Sequence, residues 1–250
     1  AITSTISPYF LTSLGPPSQP YLIPAIVAAV VFLLLKNNWK NFALAGLLTG
    51  LTTSLHYLGF SLFLALVLYA LYGHDLQRLK VLASLVLGLL FSISPTILFE
   101  LRNNFFLTKQ IIAQFTSGAV TAQSQSIVSQ FAQAADLLSG DILGVHLPTL
   151  LFFLIVVISA TLAIKSSSNY KPQVIFLILV IVINFVAVGF YGPKVQSHYL
   201  AAVYVPLFIL VGYLVSYTAR FSRLFPVVLI TIITVALIGK NDLSRTSGYT

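Results

Sequence analysis

Hydrophobic residues in this chain run in long unbroken blocks. No Asp, Glu, Lys or Arg interrupts 1–35, 41–74, 81–99, 142–164, 172–193, 195–219 or 224–239. Most of these blocks exceed the roughly 18 apolar residues that mark a candidate membrane-spanning helix. A membrane barrel would place apolar residues at every second position, whereas Ile, Leu, Val and Phe are continuous here. The pattern predicts an all-α fold, a polytopic transmembrane helical bundle of about six spans plus a helical hairpin and amphipathic juxtamembrane helices.

The expected spans lie near 21–35, 81–98, 148–164, 173–190, 199–218 and 225–239. Ahead of them, 6–20 is rich in Ser, Thr, Gly and Pro, and Pro16, Pro17 and Pro20 oppose a regular helix. The block 42–72 is too long for one straight crossing. Its 31 residues would rise about 46 Å against a hydrocarbon core of roughly 30 Å. Folded as a hairpin with both ends cytoplasmic, it puts Lys36, Lys40, Arg78, Lys80, Lys165, Lys171, Arg220 and Arg223 inside. Arg102, Lys109, Lys194, Lys240 and Arg245 then lie outside, a ratio of eight to five. A single crossing gives seven to six, so the positive-inside rule favours the hairpin. Its turn falls around His56, Tyr57, Leu58 and Gly59. At membrane depth such a turn must be buried in protein or face a watery cavity.

The segment 99–147 is the one long stretch without a span, and it is expected to be an outer-face loop with short amphipathic helices. Phe105, Phe106, Ile111, Ile112 and Phe115 outline the first. Ile127, Phe131, Ala135 and Leu138 outline the second, with Gly140 as its stop. Both are expected to lie along the membrane surface. Pro95 is expected to break the helix that precedes this segment. Residues 1–250 read as a single transmembrane domain. A start at Ala1-Ile2, with neither Met nor a leader pattern, reads as the C-terminal part of a larger membrane protein.

Composition narrows the function classes. Only 7% of residues are charged, against about 25% in soluble domains. The net charge of +8 comes from cations scattered between apolar blocks, with no basic stripe, so no nucleic-acid partner is expected. Without cysteine there is no disulfide framework, thiolate zinc site or iron–sulfur site. His56, His74, His146 and His198 are far apart in sequence and lack i, i+4 pairing, so no metal is expected. Nucleotide-loop, GxSxG and HExxH motifs do not occur, and Gly46 with Gly50 has the spacing of close helix packing.

Three places hold candidate chemistry. Glu100 and Arg102 follow Pro95 at the end of an apolar run, as a functional pair or as an ion pair marking a helix end. His56, with Tyr57 beside it, sits within a charge-free block, where an imidazole either lines a cavity or is a satisfied structural group. Lys194, His198 and Tyr199 lie in a short loop between spans. There Lys194 and a protonated His198 suit a phosphate, unless the loop is an ordinary connection.

Three stretches together resemble one family. Ala43-Leu-Ala-Gly46-Leu-Leu-Thr-Gly50-Leu-Thr-Thr-Ser-Leu-His56-Tyr57 is the first, and Ser94-Pro95-Thr-Ile-Leu-Phe99-Glu100-Leu-Arg102-Asn-Asn-Phe105-Phe-Leu-Thr108 the second. The third is Ser197-His198-Tyr199-Leu200 followed by Val205-Pro206. In order and spacing they resemble segments of the GT-C membrane glycosyltransferases, the dolichyl-phosphate-mannose–protein mannosyltransferase-like enzymes and their bacterial relatives. The resemblance runs over about residues 1–240. It implies transfer of a sugar from a polyprenyl-phosphate donor to an acceptor outside the cytoplasm, in a multi-pass protein of the cell membrane, a prokaryotic plasma membrane. Membrane lipid, the polyprenyl-phosphate sugar and an acceptor would be its partners, with no separate cofactor. Arg102, Lys109, Lys194, His198, Tyr199 and Glu100 would contact donor phosphate or sugar, and His56 and Tyr57 would line the cavity. The family's catalytic carboxylate lies in a first outer loop, expected upstream of Ala1, so no catalytic residue is assigned. The family's Arg ahead of this region has no counterpart in Ser13-Leu-Gly-Pro-Pro-Ser-Gln-Pro20. The alternatives are a transporter or flippase for lipid-linked saccharides and a non-catalytic membrane subunit. Ion coupling would call for ionisable residues in mid-span, and His56 alone answers that description.

Overall fold

A computed structural model describes residues 22–36, 38–73, 78–116, 126–167, 169–190, 194–222 and 224–246. The proline-rich 6–20, His74, Asp75 and Arg223 lie outside the described residues, as do the side chains of Tyr57, Ile111, Phe115, Lys240 and Arg245. Ten α-helices occur among the described residues and no strand. They are α1 (Ile23–Leu34), α2 (Trp39–Leu55), α3 (Phe60–Gly73), α4 (Arg78–Arg102), α5 (Phe106–Thr116), α6 (Ile127–Leu143), α7 (Thr149–Ser166), α8 (Lys171–Gly189), α9 (Tyr204–Thr218) and α10 (Leu224–Thr246). Short 3₁₀ turns cover Tyr57–Gly59 and Ser197–Leu200.

The expected apolar helices form; α1 and α9 are shorter than expected, while α4, α7, α8 and α10 exceed the expected length. Three of them, α4, α7 and α8, are long and apolar enough to cross a membrane. That is fewer than six, because α1 and α9 have only 12 and 15 residues and the apolar part of α10, Leu224–Gly239, is shorter than 18. Helix α9 starts at Tyr204 rather than 199. Pro206 lacks the N–H that would bond one turn back, so the helix begins within a turn of it. Pro95 does not end α4, which runs on to Arg102. The carbonyl of Phe91, which the missing Pro95 N–H leaves free, accepts instead from Ser94 Oγ at 2.8 Å. Nor does Gly140 stop α6. It is buried inside the helix, and Gly144 at φ 74° makes the left-handed cap. Helix α6 also departs from a surface position. Gln130, Ala134, Leu138 and Ile142 form a buried stripe against the bundle, while Ile127 is exposed.

The block 42–72 breaks at His56. Its extended backbone (φ −158°, ψ 129°) closes α2, and the following turn brings Gly59 against the backbone of Thr52. Helices α2 and α3 then run antiparallel, since Phe42 near the start of one stacks on Tyr69 near the end of the other at 6.0 Å. Tyr69 meets Phe176 of α8 at 5.7 Å. Across the hairpin, Ser61 of α3 accepts from Asn184 Nδ2 of α8 at 3.2 Å, a buried polar link between helices.

The most extensive pairing is between α2 and α4. They run parallel, from Trp39 beside Lys80 to Thr53 and Ser54 beside Thr96 and Ile97. Gly46 and Gly88 make it possible. A Cβ on Gly46 would collide with the Leu85 carbonyl, and one on Gly88 with the Ala43 carbonyl. At Gly50 it would come 2.6 Å from Ser92 Cβ. Backbones this close gain dispersion contacts that larger residues exclude, which is the small-xxx-small mode of packing in a bilayer.

The bundle has two unlike ends. Asn41 Nδ2 bonds the Leu33 and Lys36 carbonyls, and Gln173 Nε2 bonds that of Leu34, so the end of α1 and the starts of α2 and α8 meet. Lys36, Lys40, Arg78, Lys80 and Lys171 gather there. Arg102, Lys109 and Lys194 belong to the opposite end, with the carboxylates of Glu100, Asp136 and Asp141.

Substituting Gly88→Val is expected to cost about 3 kcal/mol or more, because backbone cannot move aside for the new methyl groups. Gly212→Val, in the same kind of helix but with nothing within 4 Å, is expected to melt close to the wild type in detergent. Equal melting temperatures for the two variants would contradict the packing role.

Candidate functional site

At the end holding Glu100, a cleft of about 280 Å³ opens between α2, α4 and α5. Thr53, Ser54, Thr96, Glu100 and Thr108 supply its polar groups, and Ile93, Ile97 and Phe105 its apolar wall. The parallel α2–α4 contact sets its width, because the glycines bring the last turn of α2 against the last turns of α4.

Glu100 is buried at 8% exposure although it ends an apolar helix. After Arg102 the chain turns through Asn104 and Phe105, both with positive φ (52° and 58°), a strained pair for residues with side chains. Phe105 N–H returns to the Glu100 carbonyl at 2.7 Å. This reversal carries the start of α5 onto the Glu100 carboxylate. Oε1 accepts from Leu107 N at 2.9 Å, while Oε2 accepts from Thr108 N at 2.8 Å and from Thr108 Oγ1. The carboxylate thus caps the amide groups of α5 from a neighbouring helix and faces its positive dipole end.

Arg102 is exposed and makes no ion pair with Glu100 among the described residues. Two residues apart on a helix, the side chains project to different sides. Lys109 is exposed on α5, one residue beyond Thr108, so the Glu100 cap fixes where it emerges.

The second cluster joins the hairpin turn to the α8–α9 connection. His56 lies 5.3 Å from His198 and 5.4 Å from Tyr199, ring centre to ring centre, and His198 meets Tyr199 edge-on at 4.4 Å. Leu58 N–H donates to His56 Nδ1 at 3.2 Å, so a neutral His56 ring carries its proton on Nε2. Asn184, Gly59 and Ala202 close around these rings and leave no room for a water-sized guest. Burial holds the His198 pKa below 6.5, so at neutral pH it offers a neutral imidazole rather than a positive charge. Lys194 is exposed at the start of this connection, and the next residue, Val195, donates its N–H to Gln133 of α6 at 3.3 Å.

The fold therefore brings Glu100 to Thr108, and His56 to His198 and Tyr199. Thr53 and Ser54, just before His56, connect the two groups. Arg102, Lys109 and Lys194 are exposed at this end and form no ion pair among the described residues. Sequence reading missed two polar links at this end. Asp141, buried on α6, accepts from Tyr204 Oη at the start of α9 at 2.5 Å. Asp136 pairs with His146 at 2.7 Å, ten residues on. Asp141 carried a signal, being an acidic residue between Gly140 and Ile142 in an otherwise apolar helix face. Its partner, 63 residues away, carried none. Among the described residues no group of three or more His, Asp or Glu side chains is placed to hold a metal ion. No family model, curated protein or solved structure matches the chain.

Removing the cap tests the role of Glu100. In Glu100→Ala the amides of Leu107 and Thr108 and the Thr108 hydroxyl lose their acceptor. Hydrogen exchange at 106–109 is expected to accelerate while that of α8 stays unchanged. Unaltered exchange at both amides would show that the cap does not hold α5.

Proposed function

We propose that this chain is the membrane body of a glycosyltransferase that moves a sugar from a polyprenyl-phosphate carrier to an acceptor on the extracytoplasmic face. One observation supports the reading above others. The three stretches that resemble the GT-C enzymes, separated by tens of residues, converge on one end of the bundle. The first lines the cleft through Thr53 and Ser54, the second through Thr96, Glu100 and Thr108, and the third meets the first through His198 and His56.

In this reading Arg102, Lys109 and Lys194 receive the carrier phosphate, which must gain negative charge as the sugar leaves. Arginine suits it as a planar fork and lysine as a point charge. Glu100 acts as a positioning residue, since its oxygens are engaged by α5. His198 and Tyr199 form a neutral wall, and the base that activates the acceptor hydroxyl is not assigned to this chain. Helices α1, α4, α7, α8, α9 and α10 are the six crossings, with α2 and α3 as a hairpin open to the cytoplasm. The shorter helices are accommodated by local thinning of the bilayer. The more basic end faces the cytoplasm, and a prokaryotic plasma membrane is the proposed location.

Two experiments test the proposal. In the full-length protein, Arg102→Ala and Lys194→Ala are each expected to lower kcat/KM for a polyprenyl-phosphate sugar about tenfold or more. Unchanged donor use in both variants would sink the phosphate assignment. The chain has no cysteine, so single cysteines label on a clean background. Ser166→Cys is expected to react only from the cytoplasmic side and Gln110→Cys only from outside; labelling of both from one side would overturn the topology.

A further inference from the structure

The bundle end opposite the cleft carries an arrangement that the proposed chemistry leaves unused. Trp39 opens α2 and is 38% exposed. Two ammonium groups from different helices meet its indole. Lys80 Nζ of α4 lies 4.9 Å from the ring centre, and Lys40 Nζ of α2 lies 5.8 Å from it. Both lysines are exposed, and neither forms an ion pair among the described residues. Lys36, also exposed, precedes them by one turn of chain.

A cation–π contact holds an ammonium in place without neutralising it. Two like charges are thus collected at one ring, where they repel each other, and a single anion between them relieves that repulsion. Their spacing does not depend on two flexible side chains alone. The glycine contacts of α2 with α4 hold the first turns of both helices side by side, so the two stems start from fixed positions. An indole at this position belongs at headgroup level. Apolar surface lies beneath: Leu44, one turn deeper than Lys40 on the same helix face, is 45% exposed, and Leu87, two turns deeper than Lys80 on its own helix, is 66% exposed.

We propose that Lys40 and Lys80, mounted on Trp39, form a seat for the phosphate of an anionic phospholipid headgroup. A phosphate diester supplies the anion, and the exposed leucines below the seat take its acyl chains. That apolar floor selects a lipid over free phosphate. The seat is independent of the transferase reading, because it lies at the opposite end from Glu100 and His198. Each lysine contributes about fivefold to affinity for an anionic membrane lipid.

The intact protein, purified in a neutral detergent, is offered equal amounts of phosphatidylglycerol and phosphatidylcholine, and retained lipid is counted by native mass spectrometry. Phosphatidylglycerol is expected to be retained preferentially, and the preference is expected to fall as salt is added. Lys40→Gln with Lys80→Gln is expected to lower its retention about 25-fold, from about fivefold per lysine, and Lys40→Arg with Lys80→Arg to preserve it. Equal retention of the two lipids by the unaltered protein, at low and high salt alike, overturns the proposal without recourse to a variant. Undiminished phosphatidylglycerol in the glutamine variant also overturns it. Displacement of the lipid by millimolar inorganic phosphate would assign the seat to free phosphate and reject the lipid.

Discussion

At Gly46 and Gly88, α2 and α4 approach until one methyl group on either would strike the other's backbone. In a bilayer the surrounding chains are as apolar as leucine, so helices gain little by hiding apolar surface from lipid. Close backbone contact and interhelical polar bonds are what remain to hold them. Because this contact joins two parallel helices, the segment between them must return the full length of the bundle. The antiparallel α3 does so, and it is why the chain reverses at His56. The same contact aligns both ends of the pair, with Trp39 and Lys80 at one and Ser54 and Glu100 at the other.

The polar groups of the less basic end depend on that frame in different ways. Glu100 is held by three donors from α5, which makes it an element of architecture at the edge of a cleft. Through that cap it fixes the start of α5, which carries Lys109, and the strained turn at Asn104 and Phe105. The histidines are packed shut by Asn184, Gly59 and Tyr199, so they join the hairpin turn to the α8–α9 connection. A binding function at this end would therefore use the exposed cations Arg102, Lys109 and Lys194 around a neutral, rigid floor. Phosphate recognition asks for that division, with mobile charge at the rim and fixed geometry beneath.

Much of the helical order was legible in the residues. Charge-free blocks placed most helices to within a few residues, and the length of 42–72 alone required a break near His56. The failures arise where contacts that the local pattern does not reveal decide the outcome. Pro95 is tolerated because Ser94 satisfies the Phe91 carbonyl. Gly140 stays helical because it is buried against neighbours, while Gly144 takes the left-handed cap. The spacing of Ile127 and Phe131 places α6 at the surface, yet its buried stripe runs through Gln130 and Ala134.

The sequence by itself determined that the chain is helical, that it carries helices apolar enough for a membrane, and that small residues at Gly46 and Gly50 allow close packing. Those properties follow from composition and period, which act within one helix. Only the tertiary structure decided which residues meet. Glu100 turned away from Arg102 to cap α5, His56 found His198 across 142 residues, and Lys80 reached the indole of Trp39. Such contacts depend on how helices are ordered and which of their faces touch, and spacing along the chain does not encode that.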